Sequence, residues 1–79
     1  IDTGINKYSK FFLGRTITEN SRAFPVTTVD GEEKADESQD ISDTIGHGTH
    51  VAGIIADSTP DNIQLMILKV FSSLIMKLI

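Results

Sequence analysis

Two short stretches of this 79-residue chain hold the residue types that could do acid–base chemistry. The first is Gly46-His47-Gly48-Thr49-His50-Val51-Ala52-Gly53. His47 carries an imidazole, the side chain suited to taking and returning a proton near neutral pH. It lies between two glycines, so the backbone there can turn and approach other groups without a Cβ in the way. The second is Ile1-Asp2-Thr3-Gly4-Ile5, which puts a carboxylate just ahead of a turn. Taken alone, Asp2 has two readings: a functional carboxylate at a strand end, or a turn aspartate bonded to its own backbone. His47 and His50 are three apart, which invites a metal reading. The chain has no cysteine, and no glutamate follows in a zinc-helix pattern. No metal or other cofactor is therefore expected, and His50 reads as a helix residue packed against its neighbours.

These groups need elements to hold them. Val51, Ile54 and Ile55 recur with helical spacing, while Ala52 and Gly53 keep one face narrow enough to lie against a sheet. The pattern predicts a helix over about residues 48–57. Thr49 is expected to accept a hydrogen bond from a free helix N–H. The positive end of such a helix favours a neutral ring able to take a proton. Residues 1–4 read as the end of a buried strand running into a tight turn, and functional groups of α/β folds gather at the carboxyl ends of strands. Residues 58–62 form a turn, because Pro60 stops the helix and Asp61 and Asn62 favour turning. Residues 63–71 are nearly all apolar, as in a parallel strand covered on both faces. Strand, long connection, helix and strand make a βαβ-type unit with a right-handed crossover. Between the two motifs, residues 15–18 and 26–29 read as short strands, the second with Pro25 at its start. Phe11, Phe12 and Leu13 are expected to be partly buried, and Gly14 marks a turn.

Residues 30–43 carry seven acids and one lysine, a local charge of −6 within a chain of net −4. Nothing in them can build a core, and like charges repel, so the segment is expected to be an irregular surface loop with few contacts. A sharper reading lets it border a substrate cleft, since it leads directly to His47, and draw in basic substrates through its field.

The bulk properties limit the rest. Seventy-nine residues allow at most one small domain. Without cysteine there are no disulfides and no thiolate chemistry. An acidic balance gives no reason to expect nucleic acid. No apolar run approaches the roughly 20 residues that span a bilayer, so no membrane span is expected. The sequence opens inside a motif and without methionine, and it reads as truncated at the front.

The two stretches together carry a family resemblance. His-Gly-Thr-His-Val-Ala-Gly at 47–53 resembles the histidine motif of the subtilisin-like serine proteases (subtilases, peptidase family S8). Ile-Asp-Thr-Gly at 1–4 is similar to that family's aspartate motif, and the order is the family's own. The agreement is good over residues 1–5 and 44–57 and weaker through Val70. Asp-Thr-Gly also occurs in aspartic proteases, but those pair two carboxylates and no second such motif is present. A homodimer would supply it only by leaving the histidine motif without a role.

The resemblance implies an α/β fold, here an incomplete part of a parallel-sheet subtilisin-like fold in the order strand–loop–helix–strand. Residues 1–71 would be the partial peptidase domain, with the acidic loop at 30–43. Residues 72–79 are an apolar tail that does not match the family. The 45 positions from Asp2 to His47 exceed the family's typical spacing by roughly a dozen, and the acidic loop is the natural home of the excess. A calcium loop often follows the histidine helix in the family; the connection here is about five residues, so that site is not expected.

The resemblance also implies a serine endopeptidase, with protein or peptide substrates and a secreted or cell-surface setting that the chain itself does not specify. His47 would be the general base and Asp2 the carboxylate holding its Nδ1–H. The serine nucleophile is not identifiable among Ser9, Ser21, Ser38, Ser42, Ser58, Ser72 and Ser73, none of which lies in the family's Gly-Thr-Ser pattern. The nucleophile and the oxyanion asparagine are expected beyond residue 79, so this chain alone is expected to be inactive. The alternative is a non-catalytic remnant or partner-binding piece that keeps the motif for packing.

Overall fold

The computed structural model describes residues 1–72. A 3₁₀ turn, Lys10–Phe12, comes first, then β1 (Arg22–Ala23), β2 (Val26–Val29), β3 (Glu32–Ala35), α1 (His47–Ser58) and β4 (Leu68–Lys69). The result is a small α/β arrangement with a parallel strand pair and one helix.

The parallel part is built around β4. The Asp2 N–H donates to the Leu68 carbonyl at 3.0 Å, and the Val70 N–H donates to the Asp2 carbonyl at 3.0 Å. On the other side, Arg22 and Phe24 donate to the carbonyls of Ile67 and Lys69, each at 2.9 Å. Successive peptide groups of a strand point to opposite edges. Both edges of β4 are therefore occupied, by the segment around Asp2 on one side and by β1 on the other. A bridge between Ile17 and Leu65 extends the second pairing. The strands expected over 15–18 and 63–71 are thus present only in part, as a bridge at Ile17 and as Leu65 with β4.

The core is small. Ile5, Phe12, Ala52, Ala56 and Leu65 are buried together, with Ile17, Ile41 and Ile67 packed against them. Of Phe11, Phe12 and Leu13 only Phe12 is buried; Phe11 and Leu13 are exposed. Helix α1 buries Gly48, Ala52 and Ala56, which share one face at intervals of four. Small side chains let the helix backbone come close to the rest of the fold. The larger residues turn outward instead: Ile54 is 55% and Ile55 44% exposed.

The far end of α1 is tied down by Arg15, whose side chain is only 4% exposed. Its guanidinium donates to the carbonyls of Ala56 at 2.6 Å and Thr59 at 2.9 Å, and to the Ile63 carbonyl at 3.1 Å. The last carbonyls of a helix have no partner within it, and a cation there also complements the helix dipole.

The acidic segment departs from its expected form. Residues 32–35 are a strand, paired antiparallel with β2 in the register Val26↔Ala35 to Val29↔Glu32. Asp30 and Gly31 both have positive φ, 53° and 80°, as a two-residue hairpin loop of the type that matches strand twist requires. Farther on, Ala23 and Ser38 exchange backbone hydrogen bonds at 2.7 and 2.8 Å. Backbone pairing needs no apolar side chain, and the register sets Glu33 opposite Thr28 and Lys34 opposite Thr27, so the acids do not face acids across the ladder. All eight residues of the two strands are exposed. The apolar tail expected at 72–79 lies outside the described residues apart from Ser72.

Candidate functional site

The Asp2 segment reaches the site as a strand end. Its peptide groups are pinned to β4, and the chain then turns at Gly4, where φ is +106°. A Cβ at Gly4 would run into the carbonyl oxygens of Ile41 and Ser42. The start of α1 descends onto this turn, and a Cβ on Gly48 would collide with the Gly4 carbonyl. Two residues without side chains thus let the helix start and the strand end touch.

The first turn of α1 needs partners for its free N–H groups. Gly46, the residue preceding the helix, has no side chain to offer them. Thr3 and Asp43 do so instead. The Gly48 N–H donates to Thr3 Oγ1 at 2.8 Å, and the Thr49 N–H donates to Asp43 Oδ2 at 2.9 Å. Thr3 is 1% exposed, and its hydroxyl donates onward to Asp43 Oδ1 at 2.9 Å. Asp43 Oδ1 also accepts from the N–H groups of Ile45 at 3.0 Å and Gly46 at 2.9 Å. The Thr49 hydroxyl donates to Asp43 Oδ2 at 2.6 Å and accepts from the Asn6 N–H at 2.9 Å. Thr49 therefore does not take a free helix N–H, as the sequence suggested. Its own N–H is capped by Asp43, and its oxygen serves the loop after the strand.

At this junction the His47 Nδ1 lies 2.8 Å from Asp2 Oδ1 and 2.9 Å from Oδ2. Asp2 Oδ1 also accepts from the Thr3 N–H at 2.7 Å. Asp2 is therefore bonded to its own turn and also contacts the His47 ring. A carboxylate can only accept, so Nδ1 carries the proton of this bond, and whenever the ring is neutral Nε2 holds the lone pair. The His47 side chain is 61% exposed and Asp2 21%, so the ring stands at the surface on a more enclosed carboxylate. Such an arrangement can take a proton at Nε2 while the carboxylate stabilises the resulting cation.

Two carboxyl groups here are shifted. For Asp2, burial works against the charge, but the His47 hydrogen bond, the Thr3 N–H and the attraction of the His47 ring outweigh it, and the pKa falls below its ordinary 3.8. For Asp43, burial again opposes the charge. The N–H groups of Gly46, Thr49 and Ile45 and the Thr49 hydroxyl overcome it and hold the carboxyl well below the usual carboxylate range.

Asp43 and Thr3 were not singled out by sequence. In the sequence Asp43 reads as one more acid of the 30–43 segment, although an aspartate shortly before a helix start is a capping signal. His50, expected to pack against its neighbours, is exposed and borders an open groove of about 590 Å³ beside Phe11 and Ile54. Three of the serines have other partners. Ser21 Oγ accepts from the Ile67 N–H at 2.9 Å, Ser42 donates to Asp40 at 2.6 Å, and Ser58 donates to the Ile54 carbonyl at 2.7 Å. Ser73 lies outside the described residues. Among the described residues no helix is long and apolar enough to cross a membrane.

A family model described as the subtilase family matches residues 1–76. No curated protein and no solved structure matches the chain.

Proposed function

The chain belongs to the subtilase family of serine peptidases, and on that premise we propose that it carries the aspartate and histidine of a serine endopeptidase site. The observation that supports this is the pairing of the Asp2 carboxylate with His47 Nδ1 at 2.8 and 2.9 Å, at a strand end where one edge of β4 and the start of α1 meet.

In this reading His47 Nε2 removes the proton from a serine hydroxyl as that oxygen attacks the carbonyl carbon of a peptide bond. The same proton then passes from Nε2 to the leaving amine. Asp2 keeps the proton of the neutral ring on Nδ1 and stabilises the imidazolium between the two transfers. The serine and the oxyanion donors come from chain outside these 79 residues, and residues 1–71 form the front part of the peptidase domain. Substrates are proteins or peptides.

The test uses the longer polypeptide that contains this chain, labelled with a fluorophosphonate probe and assayed on a peptide substrate. Labelling at a serine beyond residue 79 is expected, with loss of labelling in His47→Ala. An Asp2→Asn variant is expected to lose about 10⁴-fold in kcat, because the wrong tautomer then faces the serine. The 79-residue chain alone is expected to remain unlabelled. Labelling that survives His47→Ala overturns the assignment of the base. A longer polypeptide that is never labelled is what a non-catalytic remnant would give.

A further inference from the structure

Building on the reading of Asp2 and His47 as a working pair, we propose that Asp43 is a positioning residue for it, a carboxylate that holds the two motif segments in register through Thr3 and the first turn of α1. His47 itself makes no bond to Asp43. The peptide groups on either side of it do. The Gly46 N–H is held by Asp43 Oδ1 at 2.9 Å, and the Gly48 N–H by Thr3 Oγ1 at 2.8 Å, with that hydroxyl donating to Asp43 at 2.9 Å. Thr3 in turn adjoins Asp2 and donates its N–H to the Asp2 carboxylate at 2.7 Å. One carboxylate therefore fixes the backbone flanking the imidazole and, through Thr3, the backbone flanking its partner.

The chemistry of the cluster requires a carboxylate. All five groups facing Asp43 are donors: the hydroxyls of Thr3 and Thr49 and the N–H groups of Ile45, Gly46 and Thr49. An amide of the same shape would turn an NH₂ toward one set of them, either Thr49 or the Thr3–Ile45–Gly46 set. Donors that lose their acceptor are costly wherever water cannot replace it, as at the buried Thr3 and the half-buried Thr49, and the segment would shift to relieve the contact. Catalytic groups tolerate little such movement: a displacement near 1 Å can cost on the order of 10²-fold in rate. Thr3 is a second point of failure, because its buried hydroxyl both accepts from α1 and donates to Asp43. Serine can do the same; valine cannot.

A helix cap with no other role would fray the first turn of α1 and leave the ring pairing intact. The state of the His47 ring separates the two. In the full polypeptide that contains this chain, labelled with ¹⁵N-histidine, His47 is expected to show an Nδ1–H form with a slowly exchanging ring proton, lost in Asp2→Asn. Asp43→Asn and Thr3→Val are each expected to speed exchange of that proton by about tenfold, the scale of one charge-assisted hydrogen bond. Thr3→Ser is expected to retain the slow exchange. If Asp43→Asn does not fold, the Thr3→Val and Thr3→Ser pair decides. Slow exchange that persists in Thr3→Val or Asp43→Asn, while being lost in Asp2→Asn, overturns the role of Asp43 and leaves the Asp2–His47 pair standing. A ring proton in the unaltered chain that does not respond to Asp2→Asn overturns the pair, and the role of Asp43 with it.

Discussion

Around Asp2 and His47, segments 45 positions apart interlock through side-chain-to-backbone bonds and through two glycines in contact. In the β2–β3 hairpin, strands joined by a two-residue turn pair through backbone groups alone, and every residue is exposed. The acids differ in the same way. Asp43 has both oxygens filled by donors from three places in the chain, whereas the hairpin acids project into solvent. Charge alone therefore says little about what a carboxylate does. What decides it is whether the fold brings donors to it, and at what separation in sequence.

The sharpest way to break the site and spare the rest is to fill the contact between the glycines. Within α1, Gly48 and Gly53 look alike in sequence and differ in space. A Cβ on Gly48 would strike the Gly4 carbonyl, a backbone atom that cannot swing aside. A Cβ on Gly53 would stand 3.7 Å from the Phe11 ring, an ordinary contact. Gly48→Ala is expected to destabilise the chain by about 3 kcal/mol, the upper range for overpacking, and to separate the Asp2–His47 pair. Gly53→Ala is expected to be neutral or to stabilise by up to about 1 kcal/mol through helix propensity. Urea denaturation of both variants measures the difference. Equal losses would mean that the two motif segments are not in contact.

Acid should divide the two regions in a second way. The folded pKa values of Asp2 and Asp43 lie below their ordinary 3.8. A depressed carboxyl contributes stability that is fully present above its unfolded value and is lost as pH falls through the folded one. Between neutral pH and about 4 the junction should hold; below that, amide protection at residues 45–49 should fall as Asp2 and then Asp43 take up protons. The hydrogen bonds that pair β2 with β3 join backbone groups, which do not titrate, so the hairpin amides should not follow the same curve. Hydrogen exchange read by residue from pH 5 down to about 2 is the measurement. Protection at 45–49 that ignores pH in this range would show that neither carboxylate holds the helix start.

The same contrast explains what could be read in the sequence. A helix over about 48–57 and a strand within 63–71 were legible because periodicity and an apolar run signal them locally, whereas the approach of Asp2 to His47, 45 positions apart, was expected only from the family resemblance of the two motifs. The capping of α1 was not, since Thr3 and Arg15 lie 45 and 41 positions from the groups they serve and nothing in their neighbourhoods announces it. The narrow face expected from Ala52 and Gly53 is the one the helix buries in part: Ala52 packs inward with Gly48 and Ala56, while Ile54 and Ile55, for all their bulk, face outward. The hairpin is a different kind of miss. Val29-Asp30-Gly31-Glu32 contains the dipeptide that favours a two-residue turn, a local signal that the charge of 30–43 as a whole obscures.

The smallest expected effect completes the comparison and is the one that tests the hairpin most directly. Glu32 and Glu33 sit on β3 with exposed side chains, opposite Val29 and Thr28. The hairpin ladder consists of backbone bonds, which side-chain neutralisation does not remove. The double change Glu32→Gln and Glu33→Gln is therefore expected to alter stability by no more than about 0.5 kcal/mol and to leave the His47 ring signal unchanged. Any gain should come from weaker repulsion among the acids of 30–43, and it should shrink as salt is added, because screening already weakens contacts between exposed charges. Thermal melts at low and at high salt, with the ring signal followed in parallel, make the measurement. A loss of several times that size would mean that these glutamates hold the hairpin through contacts of their own. A displaced ring signal would mean that the hairpin and the Asp2–His47 junction are one unit, not two regions held by different means.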